Sequence, residues 1–63
     1  MGVTKQEGTI ELWAAGDYVP HWVYKCDKGH QEEIPVAPGT REAYHERRLE
    51  KLEQGICPYC EAN

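Results

Sequence analysis

Residues 55–63 read GICPYCEAN, and the fold turns on what the Cys57-Pro58-Tyr59-Cys60 step within it is for. A C-x-x-C pair is either a dithiol that cycles through a disulfide or one half of a metal site. A redox pair acts from the N-terminus of a helix, whose dipole lowers the first thiol's pKa. Only Glu61, Ala62 and Asn63 follow Cys60, which predicts no helix behind the motif. The metal reading has a second half to draw on. Residues 26–30, CDKGH, place Cys26 and His30 around a tight turn, with Gly29 free to take the backbone angle that turn wants. The full pattern is C-x3-H-x26-C-x2-C. Two short ligand pairs separated by an intervening segment suit a tetrahedral ion, and Cys3His is a standard ligand set for structural zinc. Gly55 before the second pair and Pro58 inside it favour a second tight turn.

Size argues the same way. The chain has 63 residues, no Phe and one Met. A domain of this length hides only about 60% of the surface its unfolded chain exposes, so a staple is expected. The candidate core is Ile10, Leu12, Trp13, Val19, Trp22, Val23, Tyr24, Ile34, Val36, Tyr44, Leu49, Leu52 and Ile56. Three cysteines cannot all enter disulfides. The N-terminal MGVTKQEGTIELW lacks the basic start and apolar run of a signal peptide, and no stretch approaches a membrane span. Gln6 stands where a myristoylation signal wants Ser or Thr. A reducing cytoplasm is the expected setting, one that keeps thiols available for metal. The net charge of −4 is opposite to the bias of general nucleic-acid coaters.

Residues 1–8 are polar and read as a flexible tail, with residues 9–63 forming a single zinc-binding domain. TIELWAA, residues 9–15, alternates as a strand with Ile10, Leu12 and Ala14 on one side. GDYVP, residues 16–20, reads as a turn. HWVYKC, residues 21–26, is aromatic and β-branched and reads as the second strand of an antiparallel hairpin. EEIPV, residues 32–36, is a third short strand confined to an edge by Pro35. From about residue 40 to 54 the pattern is helical, with Thr40 as N-cap and Gly55 as terminator. His45, Leu49 and Leu52 share one stripe, and Ile56 joins them if the helix runs on. Arg41, Tyr44, Arg47, Arg48 and Lys51 share a second stripe, and Glu42, Glu46, Glu50 and Glu53 a third. The expected class is a small α+β domain: a β-hairpin or three-stranded antiparallel sheet, plus one helix, stapled by zinc.

As letters, CPYC resembles the active-site motif of glutaredoxins, but that likeness covers four residues only. A broader likeness runs from residue 22 to 60. Trp22, Cys26, Gly29, His30, Arg41 and Cys57-Pro58-x-Cys60 resemble the zinc-ribbon, treble-clef-like modules that read roughly aromatic-x-C-x-x-G-H … R … C-P-x-C. The resemblance implies a zinc-binding mini-domain with ligands Cys26, His30, Cys57 and Cys60. Three departures stand out: the long helical middle segment, Glu32 where an aromatic often follows the His, and the N-terminal strand, which lies outside the match.

Other residues have plainer readings. His45, on the apolar helix stripe, is an alternative fourth ligand or a half-buried histidine at the core edge, and the second reading is preferred. His21 is expected to be exposed. The strip of Arg41, Tyr44, Arg47, Arg48 and Lys51 is a candidate binding face for phosphate or an acidic protein, or an ordinary solvated face. Its like-charged i,i+4 neighbours, Arg47 and Lys51, are not what helix stability alone would select. In a chain without Phe, Trp13, Trp22 and Tyr24 are expected in the core. His-x-Glu at residues 30–32 with a C-x2-C also resembles zinc deaminases, which carry their His-x-Glu on a helix in a larger domain. Four good ligands leave no open metal position, so no enzyme is expected. The expectation is a small non-enzymatic regulatory or adaptor protein with one structural Zn2+ per chain. It would act by protein–protein interaction with a larger machine, such as one of transcription or nucleic-acid processing. The alternative is a nucleic-acid-binding zinc ribbon that uses the basic helix face.

Overall fold

Asp17–Cys26, ten extended residues, is the axis of the fold in the computed structural model, which describes residues 2–61. We label the strands β1 (Val3–Lys5), β2 (Ile10–Ala14), β3 (Asp17–Cys26) and β4 (Gln31–Pro35), and the helices α1 (Ala43–Glu53) and α2 (Pro58–Glu61). All pairings with β3 are antiparallel. Its first half pairs with β2, from Ala14 opposite Asp17 to Ile10 opposite His21. Its last three residues pair with β1, Val3 lying opposite Cys26. His21, Tyr24 and Lys25 also have partners in β4, so β1 and β2 follow one another along one side of β3 and β4 lies on the other. The sheet thus has four strands, one more than the largest expected.

Three local readings are corrected. The flexible tail gives way to a strand over Val3–Lys5, because β-branched Val3 and Thr4 have an unpaired stretch of β3 to bond with. The turn lies at Ala15 and Gly16 rather than across residues 16–20. Both have positive φ, 54° and 83°, as a two-residue hairpin turn requires. The strand runs on through Pro20, whose carbonyl accepts from Val36 N–H at 3.0 Å. Its missing N–H would have faced Val36 O, which accepts from Arg41 Nη2 instead, at 2.7 Å. Helix α1 begins at Ala43 and not after Thr40. Pro38–Thr40 form a 3-10 turn in which the Thr40 hydroxyl donates to Ala37 O at 2.9 Å. Glu42 is the N-cap instead, and its N–H donates to His45 Nδ1 at 3.0 Å.

Directly opposed residues share a face of the sheet. Trp22, Tyr24, Glu32 and Ile34 therefore point one way, and α1 covers them with Leu49 and Leu52. Ile34 is fully buried at the centre of this cluster, with Val3 and Trp22 at its margin. Arg41 ties the sheet to the helix: it donates to Pro35 O and Val36 O, both at 2.7 Å, pairs with Glu46, and stacks over Trp22 beside Lys5. The reverse face buries His21, Val23 and Pro35. His21 is not exposed as expected; it bonds to Val19 O at 2.8 Å within its own strand. Ile10, Trp13, Tyr44 and Ile56, counted as core by hydropathy, are exposed. Trp13 and Tyr44 lie beyond the reach of the helix–sheet contact, and Ile56 falls after the helix has ended. No helix among the described residues is long and apolar enough to cross a membrane.

Ile34→Ala tests the core directly. The cavity is expected to lower unfolding stability by about 2–5 kcal/mol in denaturant titration of the metal-loaded chain, against a total of about 5–15 kcal/mol for a small domain.

Candidate metal centre

The C-terminal ends of β3 and α1 bring the two motifs together. Cys26 closes β3, and the chain reverses at once. Gly29 N–H donates to Cys26 O at 3.0 Å and Cys26 N–H to His30 O at 2.8 Å, with Gly29 at φ 95°. The Lys28 N–H points at the Cys26 sulfur, 3.3 Å away. This knuckle leans on the start of the chain, for Asp27 N–H donates to Gly2 O at 2.7 Å. A side chain at position 2 would meet Asp27, since a Cβ there would lie 2.2 Å from its Oδ1.

The second pair is delivered by the end of α1. Gly55 N–H donates to Leu52 O and Ile56 N–H to Lys51 O, with Gly55 at φ 81°, a Schellman closure that turns the chain back. Cys57 follows, and Pro58–Glu61 then form one helical turn. The absence of any helix behind the motif, expected from the three remaining residues, is corrected to this extent. Pro58 sits at the first helical position, which tolerates its missing N–H.

The result is a cluster of Cys26, His30, Cys57 and Cys60 whose ligand atoms all lie within 4.8 Å of one another. Cys26 Sγ is 3.5 Å from Cys60 Sγ, and His30 Nδ1 is 3.5 Å from Cys57 Sγ and 3.3 Å from Cys60 Sγ. An ion bound to sulfur at about 2.3 Å and to nitrogen at about 2.0–2.1 Å sets tetrahedral edges of roughly 3.5–3.8 Å. The four residues can therefore hold one metal ion in a tetrahedral shell, with His30 bonding through Nδ1. Cys57 is buried and Cys60 exposed.

The electrostatics of Cys57 and Cys60 suit a cation. Burial pushes the Cys57 thiol up, but the Cys60 backbone N–H and then His30 and the other two cysteines overcome this and bring it to about 7. Cys60 is pushed up to about 12, first by its hydrogen bond with Cys26 and then by desolvation. A thiolate at Cys57 thus sits beside a Cys60 sulfur held protonated, and a bound cation would allow both to ionise together.

A supporting network went unseen in the sequence. Glu32 is buried beside the site. It accepts from Tyr59 Oη at 2.6 Å and from Arg48 Nη1 at 2.8 Å. Tyr59 lies inside the C-x-x-C and packs its ring 5.7 Å from that of His30. Arg48 also stacks on Tyr44 and Tyr59, at 5.0 and 5.4 Å. One carboxylate therefore joins β4, α1 and the second ligand pair.

The expected basic face is largely spoken for. Arg41 and Arg48 are held by the contacts above, and Lys51 pairs with Glu61. Of that strip, Arg47 alone has no ion pair among the described residues, and Tyr44 is exposed. His45 stands apart from the cluster, its Nδ1 engaged by Glu42, and burial lowers its pKa.

Comparisons with protein-family models, with curated proteins and with solved structures return no match.

Two outcomes are expected. Metal binding competes with protons for three thiols and an imidazole, so affinity measured by competition with a chelating dye falls as pH drops below about 7, losing more than one decade per pH unit. Tyr59→Phe leaves Glu32 one donor short. It is expected to cost about 1–3 kcal/mol in denaturant titration while the metal stoichiometry stays unchanged.

Proposed function

We propose that this chain is a small non-enzymatic adaptor or regulatory protein whose fold is stapled by one structural zinc ion. The observation that carries the zinc reading is the Cys3His cluster with its near-tetrahedral spacings. Three thiolates and an imidazole suit Zn2+, whereas iron–sulfur clusters generally take four cysteines. Four protein ligands complete the shell, which supports a structural and not a catalytic ion. The staple also has the right size. Structural zinc contributes about 10–16 kcal/mol of apparent binding free energy, comparable to or above the whole stability of a small domain.

The adaptor reading rests on what the surface offers. Trp13 and Tyr18, 65% and 63% exposed, form an edge-to-face pair at the hairpin tip with centroids 5.3 Å apart. Exposed aromatic pairs of this kind are typical anchors for a protein partner. The basic helix strip, by contrast, spends Arg41, Arg48 and Lys51 on internal pairs, and the net charge is −4. Both features weigh against a phosphate-binding role.

Native mass spectrometry with elemental analysis is expected to find one zinc per chain, and a strong chelator to unfold the domain cooperatively. Cys26→Ser is expected to lose the ion and the fold together. A stably folded metal-free chain would overturn the zinc reading. Salt-sensitive binding to DNA or RNA, lost on Arg47→Glu, would overturn the protein-partner reading in favour of a nucleic-acid one.

A further inference from the structure

Strand β2 is an edge. One of its sides pairs with β3, and among the described residues no strand pairs with the other. Proteins usually blunt such an edge with lysine, proline, a bulge or a cover. Ile10–Ala14 reads IELWA, with five uninterrupted pairs to β3, no Lys, no Pro and a single charge at Glu11. Because the hairpin loop has two residues, Ala14 and Asp17 form a hydrogen-bonded pair and the pattern alternates from there. Ile10, Leu12 and Ala14 therefore direct their N–H and C=O groups to β3. Glu11 and Trp13 direct theirs to the open edge. Pro20, opposite Glu11, fits this phase, for no N–H is needed there.

We propose that this edge pairs with the same edge of a second copy of the chain, antiparallel, across a two-fold axis at Leu12. Only registers that set outward-facing groups opposite one another can form a ladder. Three such registers centre on Glu11, Leu12 or Trp13. The first opposes two Glu11 carboxylates, which repel. The third pairs Glu11 with Ala15, whose φ of 54° takes it out of the extended conformation. The middle register matches all five residues: Ile10 with Ala14, Glu11 with Trp13, and Leu12 with itself. The strand's one charge then faces a ring instead of its own copy.

Side chains on both faces gain cover. The two Leu12 residues form a non-hydrogen-bonded pair, where the strands come within about 4.5 Å at Cα. With Ile10, 42% exposed, and Val19 they form one apolar strip across both sheets on the reverse face. On the other face Trp13 lies against Glu11 of the second copy. This self-complementarity, with the lone charge removed from itself, favours a second copy over an unrelated strand. The contact is small, in the range of weak, reversible association below about 1,200 Å² of total buried area. It does not depend on which metal the cluster holds.

The test uses the full metal-loaded chain: sedimentation equilibrium over rising protein concentration, with amide hydrogen exchange read residue by residue. A monomer–dimer equilibrium is expected. The Glu11 and Trp13 amides should gain protection with concentration, while Leu12, already bonded to β3, does not change. Glu11→Pro removes an outward donor without touching the β3 ladder, and Leu12→Lys sets two ammonium groups face to face. Each is expected to weaken the dimer by about tenfold or more while retaining the bound metal and the circular dichroism of the parent. A chain that stays monomeric at millimolar concentration, with freely exchanging Glu11 and Trp13 amides, would overturn the proposal. So would a dimer indifferent to both substitutions.

Discussion

Three sulfurs and one imidazole converge on a space that fits a single ion, and the rest of the domain is arranged by that convergence. The first pair hangs on the β3–β4 turn and the second on the exit from α1, so closing the cluster fixes how the helix lies on the sheet. The apolar core between them is small: Tyr24, Ile34, Leu49 and Leu52, with Val3 and Trp22 at the rim. A core of that size leaves little margin over the entropy of ordering the chain, and an ion held by the cluster would supply what it lacks.

The polar contacts around the cluster have the same logic. A buried carboxylate is costly unless it is paired and hydrogen-bonded. Glu32 is tolerated because Arg48 and Tyr59 meet it from two other elements. Those two partners reach it only when α1 and the C-x-x-C are already in place. Arg41 plays a matching part at the other end of β4, saturating the carbonyls of Pro35 and Val36 where the strand gives way to the helix. Charges that look like a surface strip on a helical wheel thus serve as ties between layers.

The two motifs that meet in the cluster were legible in the sequence because their pattern is local: Cys-x3-His around a glycine and Cys-x2-Cys after a helix-ending Gly55. The edge placement of Pro35 and the apolar pair Leu49 and Leu52 were legible for the same reason. What escaped depends on tertiary partners. Strand β1 exists because β3 extends past the end of β2 and offers a free ladder. Trp13 is exposed because the hairpin reaches beyond the helix, which no periodicity reports. Glu32 carried a readable signal. In the strand QEEIP, alternation puts it on the face of Ile34, the most buried residue of the domain, so a core-facing carboxylate in want of donors was implied.

X-ray absorption at the zinc edge of the purified protein reads the ligand shell of the cluster directly. A first shell of three sulfurs at about 2.3 Å and one nitrogen at about 2.0–2.1 Å is expected, with the outer-shell scattering of one imidazole. A shell without sulfur, a shell of four sulfurs drawn from more than one chain, or no bound zinc would contradict that expectation.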